Sequence, residues 1–388
     1  MKFNKLLLLL FLPLFFAACD KDDDNGNGGD DPNLEPIVLS GTQNAPIVLE
    51  NLFNNPDRVD YIVNGNWRIE APVTVEPGVR FMMTSGATIQ VRSTGSFNVV
   101  GEIDRPIIFE GEQATDGFWD YITFESNNPN NRLENVIIRH GGGSSFNSYP
   151  ASVVLRNNGQ LAMVNTEIAN SRRNGFLIGD NDSRMSEFRE NIISDCEFYP
   201  ISIRTSHLGF IDENTDFTRN NGFNQIRVAG NTVNTNITVR PASGPYLFTD
   251  NSRIEAGLEI LPGTLIQMGP SARIEIRSTG SLMAIGTPED RITITGEQPA
   301  KGYWDYIYFN GSNSSDNQFK FVDVSYGGGS TFNCCGANIA LASNAFFSME
   351  HSSITHSQRW GIRIRGNSTY EDLGDNTFLE NELGNIDD

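Results

Sequence analysis

The sequence predicts an all-β solenoid, a stack of short strands wound into coils and built from two tandem copies of one unit. Three observations carry this. The first is a long internal repeat: Arg92-Ser93-Thr94-Gly95-Ser96 returns 185 residues later as Arg277-Ser278-Thr279-Gly280-Ser281, and Gly117-Phe118-Trp119-Asp120-Tyr121-Ile122 returns at the same offset as Gly302-Tyr303-Trp304-Asp305-Tyr306-Ile307. Gly141-Gly142-Gly143-Ser144 follows as Gly327-Gly328-Gly329-Ser330, 186 residues on, so the spacing survives one inserted residue. Second, no helical periodicity is found from Pro36 onward; short runs rich in Val, Ile, Phe and Thr, such as residues 88–91, 107–109, 136–138 and 291–294, alternate with Gly, Asn, Asp and Ser. Third, a smaller beat runs inside each copy. An apolar residue, a polar turn, then Gly or Pro and a second apolar run begin at Ile168, again 25 residues on at Ile193, and 24 further on at Phe217; the second copy repeats the design from Ile354 to Gly361. A period of that size is the mark of repeats that stack because none can bury its apolar face alone.

The beat resembles the rung of a right-handed parallel β-helix, as in the pectate-lyase-like superfamily, over nearly all of residues 40–388. The resemblance implies that each coil buries its inward residues against the coils above and below. With strands ~4.8 Å apart, roughly fourteen rungs make a rod of about 65 Å. Asn165, Asn170, Asn191 and Asn376 stand at turns, where asparagine suits positive φ and can form ladders along the stack. Residues 36–66, with Pro46 and Pro56, are the candidate N-terminal cap. The first module then runs over 36–240 with that cap, and the second over 241–388, shorter by about two rungs.

The first residues belong to export rather than to the fold. Lys2 and Lys5 precede an apolar run over 6–16, too short to span a bilayer, and Phe16-Ala17-Ala18-Cys19 closes it. This resembles the lipobox of bacterial lipoproteins, with residues 1–18 as signal peptide and Cys19 as the lipidated residue, although Phe16 stands where that family usually has Leu. Residues 19–35 are an acidic tether with too little apolar surface to offset the entropy of ordering. The Lys21 and aspartate cluster after the cysteine looks like the surface-export signal of Bacteroidota lipoproteins. That resemblance implies an outer-membrane, lipid-anchored protein facing the cell exterior.

With 28 Lys and Arg against 48 Asp and Glu, the chain carries a net charge of −20. Such a body lacks the basic footprint that nucleic acid requires, and it repels polyanionic sugars unless a local basic patch intervenes. Beyond Cys19 stand Cys196, Cys334 and Cys335. The odd number leaves one unpaired, and the adjacent two read as reduced and packed, with a vicinal disulfide as the alternative. Their spacing is not that of a metal site, and no cofactor is implied.

Trp119, Asp120 and Tyr121, with their repeats Trp304, Asp305 and Tyr306, are the candidate ligand-binding residues, because indole and phenol rings stack on sugars while a carboxylate accepts hydroxyl hydrogen bonds. Strand alternation puts Trp119 and Tyr121 on one face and Asp120 on the other. The competing reading packs the rings into the core or beneath the triple glycines. Those glycines match neither a phosphate loop nor a calcium-binding repeat. Asn214-Thr215-Asp216 resembles the first catalytic motif of polygalacturonases, but the motifs that follow it in that family are absent. Of the histidines, His140, His351 and His356 are replaced by Tyr326, Asn165 and Asn170 in the other copy, which argues against a shared metal site. No residue emerges as catalytic. The expected function is a surface lipoprotein whose β-helix presents a non-catalytic binding face for a polysaccharide or a surface protein; the alternative is a polysaccharide lyase or glycoside hydrolase.

Overall fold

A computed structural model describes residues 34–144, 148–330 and 335–388, of which those from Glu35 onward form one unit. Alternation dictates its construction. In Arg273–Ile276 and Ile292–Gly296 every second residue is buried, so each strand turns its apolar side inward. Because the strands pair in parallel with strands one coil away, the apolar sides close into a tube. The result is a parallel β-helix of three faces, here A, B and C, visited in that order.

In the first copy, face A carries the opening halves of Ile37–Gln43 and Tyr61–Ile69, then Arg80–Met83, Ile107–Gly111, Val136–Arg139, Glu167–Ala169 and Ile192–Ser194. The two long strands bend onto face B at Gly41 and Gly65, both at positive φ, which glycine adopts without penalty. Face C carries Ile47–Leu49, Pro72–Val75, Ser96–Val100, Arg132–Glu134, Gln160–Val164 and Arg184–Arg189. Residues 36–66, expected as a cap, therefore already wind the first coil.

Face B is the one unbroken ladder. From residues 41–43 it passes through 66–69, Thr88–Val91, Tyr121–Phe124, Ala151–Leu155, Asn174–Ile178, Ile201–Arg204, Ile226–Ala229, Tyr246–Phe248, Leu265–Met268, Ile292–Gly296, Val322–Ser325 and Ser353–Thr355 to Thr377–Leu379. Fourteen strands at ~4.8 Å span about 62 Å, as the repeat count predicts. On face C a short 3₁₀ helix, Thr205–Phe210, replaces a strand after Arg184–Arg189; on face A an isolated bridge from Ile192 to Asp216 ends the regular ladder.

The two copies are rotated against each other. Residues 61–63, Arg80–Met83 and Ile107–Gly111 lie on face A, yet their equivalents Tyr246–Phe248, Leu265–Met268 and Ile292–Gly296 continue face B. From residues 61–63 the chain returns to face A near 81, 107, 136, 167, 192, 216 and 237 before reaching Tyr246 on face B. The repeat therefore closes after seven turns and one face. In the second copy, face C holds Thr232–Val233 through Gly384–Asp387, and face A holds Ile237–Val239 through Thr369–Asp372.

The core is one apolar column from Leu39 to Ile362, with rings stacked between coils, as in Phe81 on Phe109 at 4.4 Å. Corners are set by left-handed residues in columns: Asn135, Asn165 and Glu190 before face A of the first copy, and Phe321, His351 and Asp375 at the matching corner of the second. Asn165 and Asn170 have the expected positive φ, and the Asn165 amide donates to Asn135 Oδ1 at 2.6 Å. Asn191 and Asn376 work differently. Each side chain points inward and bridges to the preceding coil, accepting from Thr166 or Ser352 N–H and donating to Met163 or Met349 carbonyl.

Cys335 is disulfide-bonded, which corrects the expectation of a reduced pair; Cys334 lies outside the described residues, as do Cys19 and the signal and tether segments as far as residue 33. Cys196 is free and buried, its thiol pushed up to about 12 by burial.

Candidate functional site

The repeated aromatic corner is built alike in both copies. Trp119 and Trp304 are 0% exposed, and each indole N–H donates to a carbonyl one coil away, Arg139 O at 2.7 Å and Ser325 O at 2.8 Å. The triple glycines then cross directly over them. A Cβ on Gly141 or Gly327 would lie 3.0 or 2.8 Å from the indole, and one on Gly143 or Gly329 would lie 2.3 Å from the carbonyl of Gly117 or Gly302. Gly142 and Gly143 N–H donate to Asp120 and Trp119 carbonyls; Gly328 and Gly329 repeat both bonds with Asp305 and Trp304. The glycines serve close backbone approach, and the tryptophans offer no face on which a sugar could stack.

Trp119 and Tyr121 do not share a face either. Trp119 sits inside the column at the corner before the strand begins, whereas Tyr121 opens a strand whose inward residues are Ile122 and Phe124, so its ring points outward. Tyr306 likewise lies outside the column, packed with Cys335, Ala340 and Tyr308. The periodicity argument fails because the strand starts only at Tyr121. Burial raises the Asp120 carboxyl above its ordinary range, opposed by the Ser144 hydroxyl and Arg173; burial raises Asp305 too, opposed by Arg273 at 3.6 Å.

A second feature carries more chemistry. On face B of the first copy a groove of about 420 Å³ opens where Leu177, Ser202 and Arg227 form the outward floor of adjacent strands. Tyr149 and Pro150 wall it on one side, Phe198 and Tyr199 on the other. Tyr199 stacks on Phe223 at 4.7 Å, and Phe198 and Phe223 are 47% and 43% exposed. Tyr149 is seated against Gly179, where any Cβ would come within 2.7 Å of the ring.

Among the described residues three guanidinium groups line this groove and no carboxylate does. Arg204 donates to Gly179 O at 2.9 Å, Arg227 donates to Ser202 Oγ at 3.1 Å, and the Arg173 Nε is buried without a hydrogen-bond partner. Among the described residues none of the three forms an ion pair, whereas Arg80, Arg132, Arg139, Arg291 and Arg365 all do. The second copy supplies an internal control. There Arg363 takes the place of Leu177 and Asp387 the place of Ser202, and Asp387 lies 2.9 Å from Arg363 and 2.5 Å from Arg365. Asp387 thus pairs two arginines of the second copy, while Arg359, the equivalent of Arg173, forms no ion pair among the described residues and likewise has a buried Nε without a hydrogen-bond partner.

None of these arginines stands out in the sequence. The only signal is positional: Ser202 and Arg227 occupy one outward position a rung apart, and Tyr199 and Phe223 recur at one corner. Residues 214–216 prove structural, since Thr215 is buried and accepts from Asn191 N–H while Asp216 pairs with Arg219 at 2.6 Å. Among the described residues no three His, Cys, Asp or Glu side chains converge. No known protein family matches the chain, and neither a curated protein nor a solved structure matches it.

Proposed function

We propose that this protein is an exported, lipid-anchored binding protein that holds an anionic glycan in the face B groove of its first copy. The observation that carries the reading is the set of unpaired guanidinium groups beside exposed rings, on a chain whose net charge is −20. Arginine forks match carboxylate and sulfate oxygens, and Tyr and Phe faces match sugar rings. The acidic body around the groove repels polyanions in general, so capture depends on local fit. The lipobox-like Phe16-Ala17-Ala18-Cys19 and the acidic tether support anchoring at Cys19, and the aspartates after it support display at the cell exterior, as in Bacteroidota lipoproteins. Kinship with the pectate-lyase-like superfamily is proposed on the likeness of the stacked coils alone.

Native electrophoresis through gels containing neutral, carboxylated or sulfated polysaccharides tests the function. Retardation by an anionic polymer that stays intact, reduced at least severalfold by Arg227→Ala, is the expected result. Indifference of the wild-type chain to every anionic polymer sinks the proposal, and cleavage of the polymer replaces it with an enzyme. Loss of acyl labelling in Cys19→Ser checks the anchor.

A further inference from the structure

The groove opens at one end onto face B, which among the described residues runs unbroken through both copies. Beyond Arg227 the outward positions in direct register are Leu247, Gln267, Thr295 and Ser325. From Leu177 to Ser325 this column spans about 29 Å at ~4.8 Å per step. Its chemistry changes along the way. Gln225 donates to Gln267 Oε1 at 2.7 Å, and Thr295 and Ser325 share a hydroxyl hydrogen bond at 2.9 Å. The Glu297 carboxylate, two residues past Thr295, accepts from the Tyr303 hydroxyl at 3.1 Å and lies 3.5 Å from Gln225 Nε2. Cationic and aromatic groups thus give way along the column to amides and hydroxyls, with the Glu297 carboxylate standing beside the amides.

We propose that the ligand is a glycan with an acidic sugar at one end and neutral sugars after it, the acid held by Arg173, Arg204 and Arg227 and the neutral units laid along face B across Gln225 and Gln267 toward Tyr303. This rests on the binding role proposed for the groove. Neutral sugars present hydroxyls, which pair with amide and hydroxyl side chains at no charge penalty, whereas an acidic sugar over Glu297 would be repelled. The face accepts a polymer parallel to the rod because strand spacing sets one row of side chains per coil. An acidic group, carboxylate or sulfate, suits the arginines equally, and the test separates the two.

Calorimetry of the full chain in detergent would compare glucuronate, glucose 6-sulfate, neutral tetrasaccharides bearing a glucuronate or a sulfated glucose at either end, and polyglucuronate. An end-acidic tetrasaccharide binding roughly tenfold tighter than its acidic monosaccharide, with the gain cut about threefold in Gln267→Ala, is the expected result; the tighter of the two acid series names the group. Equal affinity for monosaccharide and tetrasaccharide overturns the track but leaves the groove standing. Tighter binding per chain end by polyglucuronate does the same. Absence of binding by every acidic probe overturns the groove itself. Gln267→Asn keeps the amide on a shorter stem, and its retention of melting temperature guards against a folding artefact.

Discussion

Replacing Trp119 separates a structural indole from a ligand platform. Trp119→Ala removes a side chain with no exposure and leaves Arg139 O without its 2.7 Å donor. Truncating a buried Trp costs about 3–5 kcal/mol. The glycine backbone above can settle only partly, because Gly142 and Gly143 remain bonded to the carbonyls of Asp120 and Trp119. In a chain of this size each kcal/mol moves the melting temperature by about 2 °C, giving a drop of roughly 6–10 °C. Trp304→Ala should fall by a similar amount, since its burial and its 2.8 Å bond to Ser325 O repeat the site. Differential scanning calorimetry reads the loss, and the electrophoresis described above, run well below the transition, reads binding. Both variants should be retarded as wild type is. A melting temperature within 2 °C of wild type, together with lost binding, would refute the assignment of these rings to the core.

Two further outcomes follow from single positions. Gly328→Ala forces an L-residue to φ +82 and brings Cβ to 2.3 Å from Ser357 Oγ, whereas Gly86→Ala at φ +68 meets nothing within 4 Å; chemical denaturation should show about 1 kcal/mol lost at Gly86 and at least twice that at Gly328, and equal losses would contradict the packing described. His207, held down to about 4 mainly by burial, stays neutral in the folded chain while the unfolded imidazole takes a proton near 6.5. Its contribution is therefore whole above pH 6.5, falls as pH drops toward 4 and is constant below, a change of roughly 3 kcal/mol. His207→Gln should flatten the stability profile in that window relative to wild type, and a parallel profile would show that the histidine protonates without consequence.

The fold was largely legible because its causes are periodic. Ile168 and Ile193, paired from the 25-residue beat, are register partners, and fourteen rungs can be counted directly on face B. Conformation at single corners was harder to read. Asn165 and Asn191 look alike in sequence, but one takes positive φ and the other turns inward to bridge coils. The same limit misplaced Trp119, because alternation holds only within a strand and this residue lies one step outside it. The groove was invisible for another reason. Arg173, Arg204 and Arg227 come from three successive coils, and that none of them forms an ion pair among the described residues is a property of neighbours distant in sequence. Repetition reports what the copies share; the groove is where they differ.

A repeat of seven turns and one face has a directional consequence. The two triple-glycine corners point along bearings about a third of a revolution apart. A straight filament lying along the rod can touch one of them but not both, so duplication here confers no avidity toward a linear ligand. Only a partner that winds about the axis, or separate partners approaching from separate sides, could occupy the two corners together. Lengthening by such a unit broadens the range of directions in which the molecule can be met.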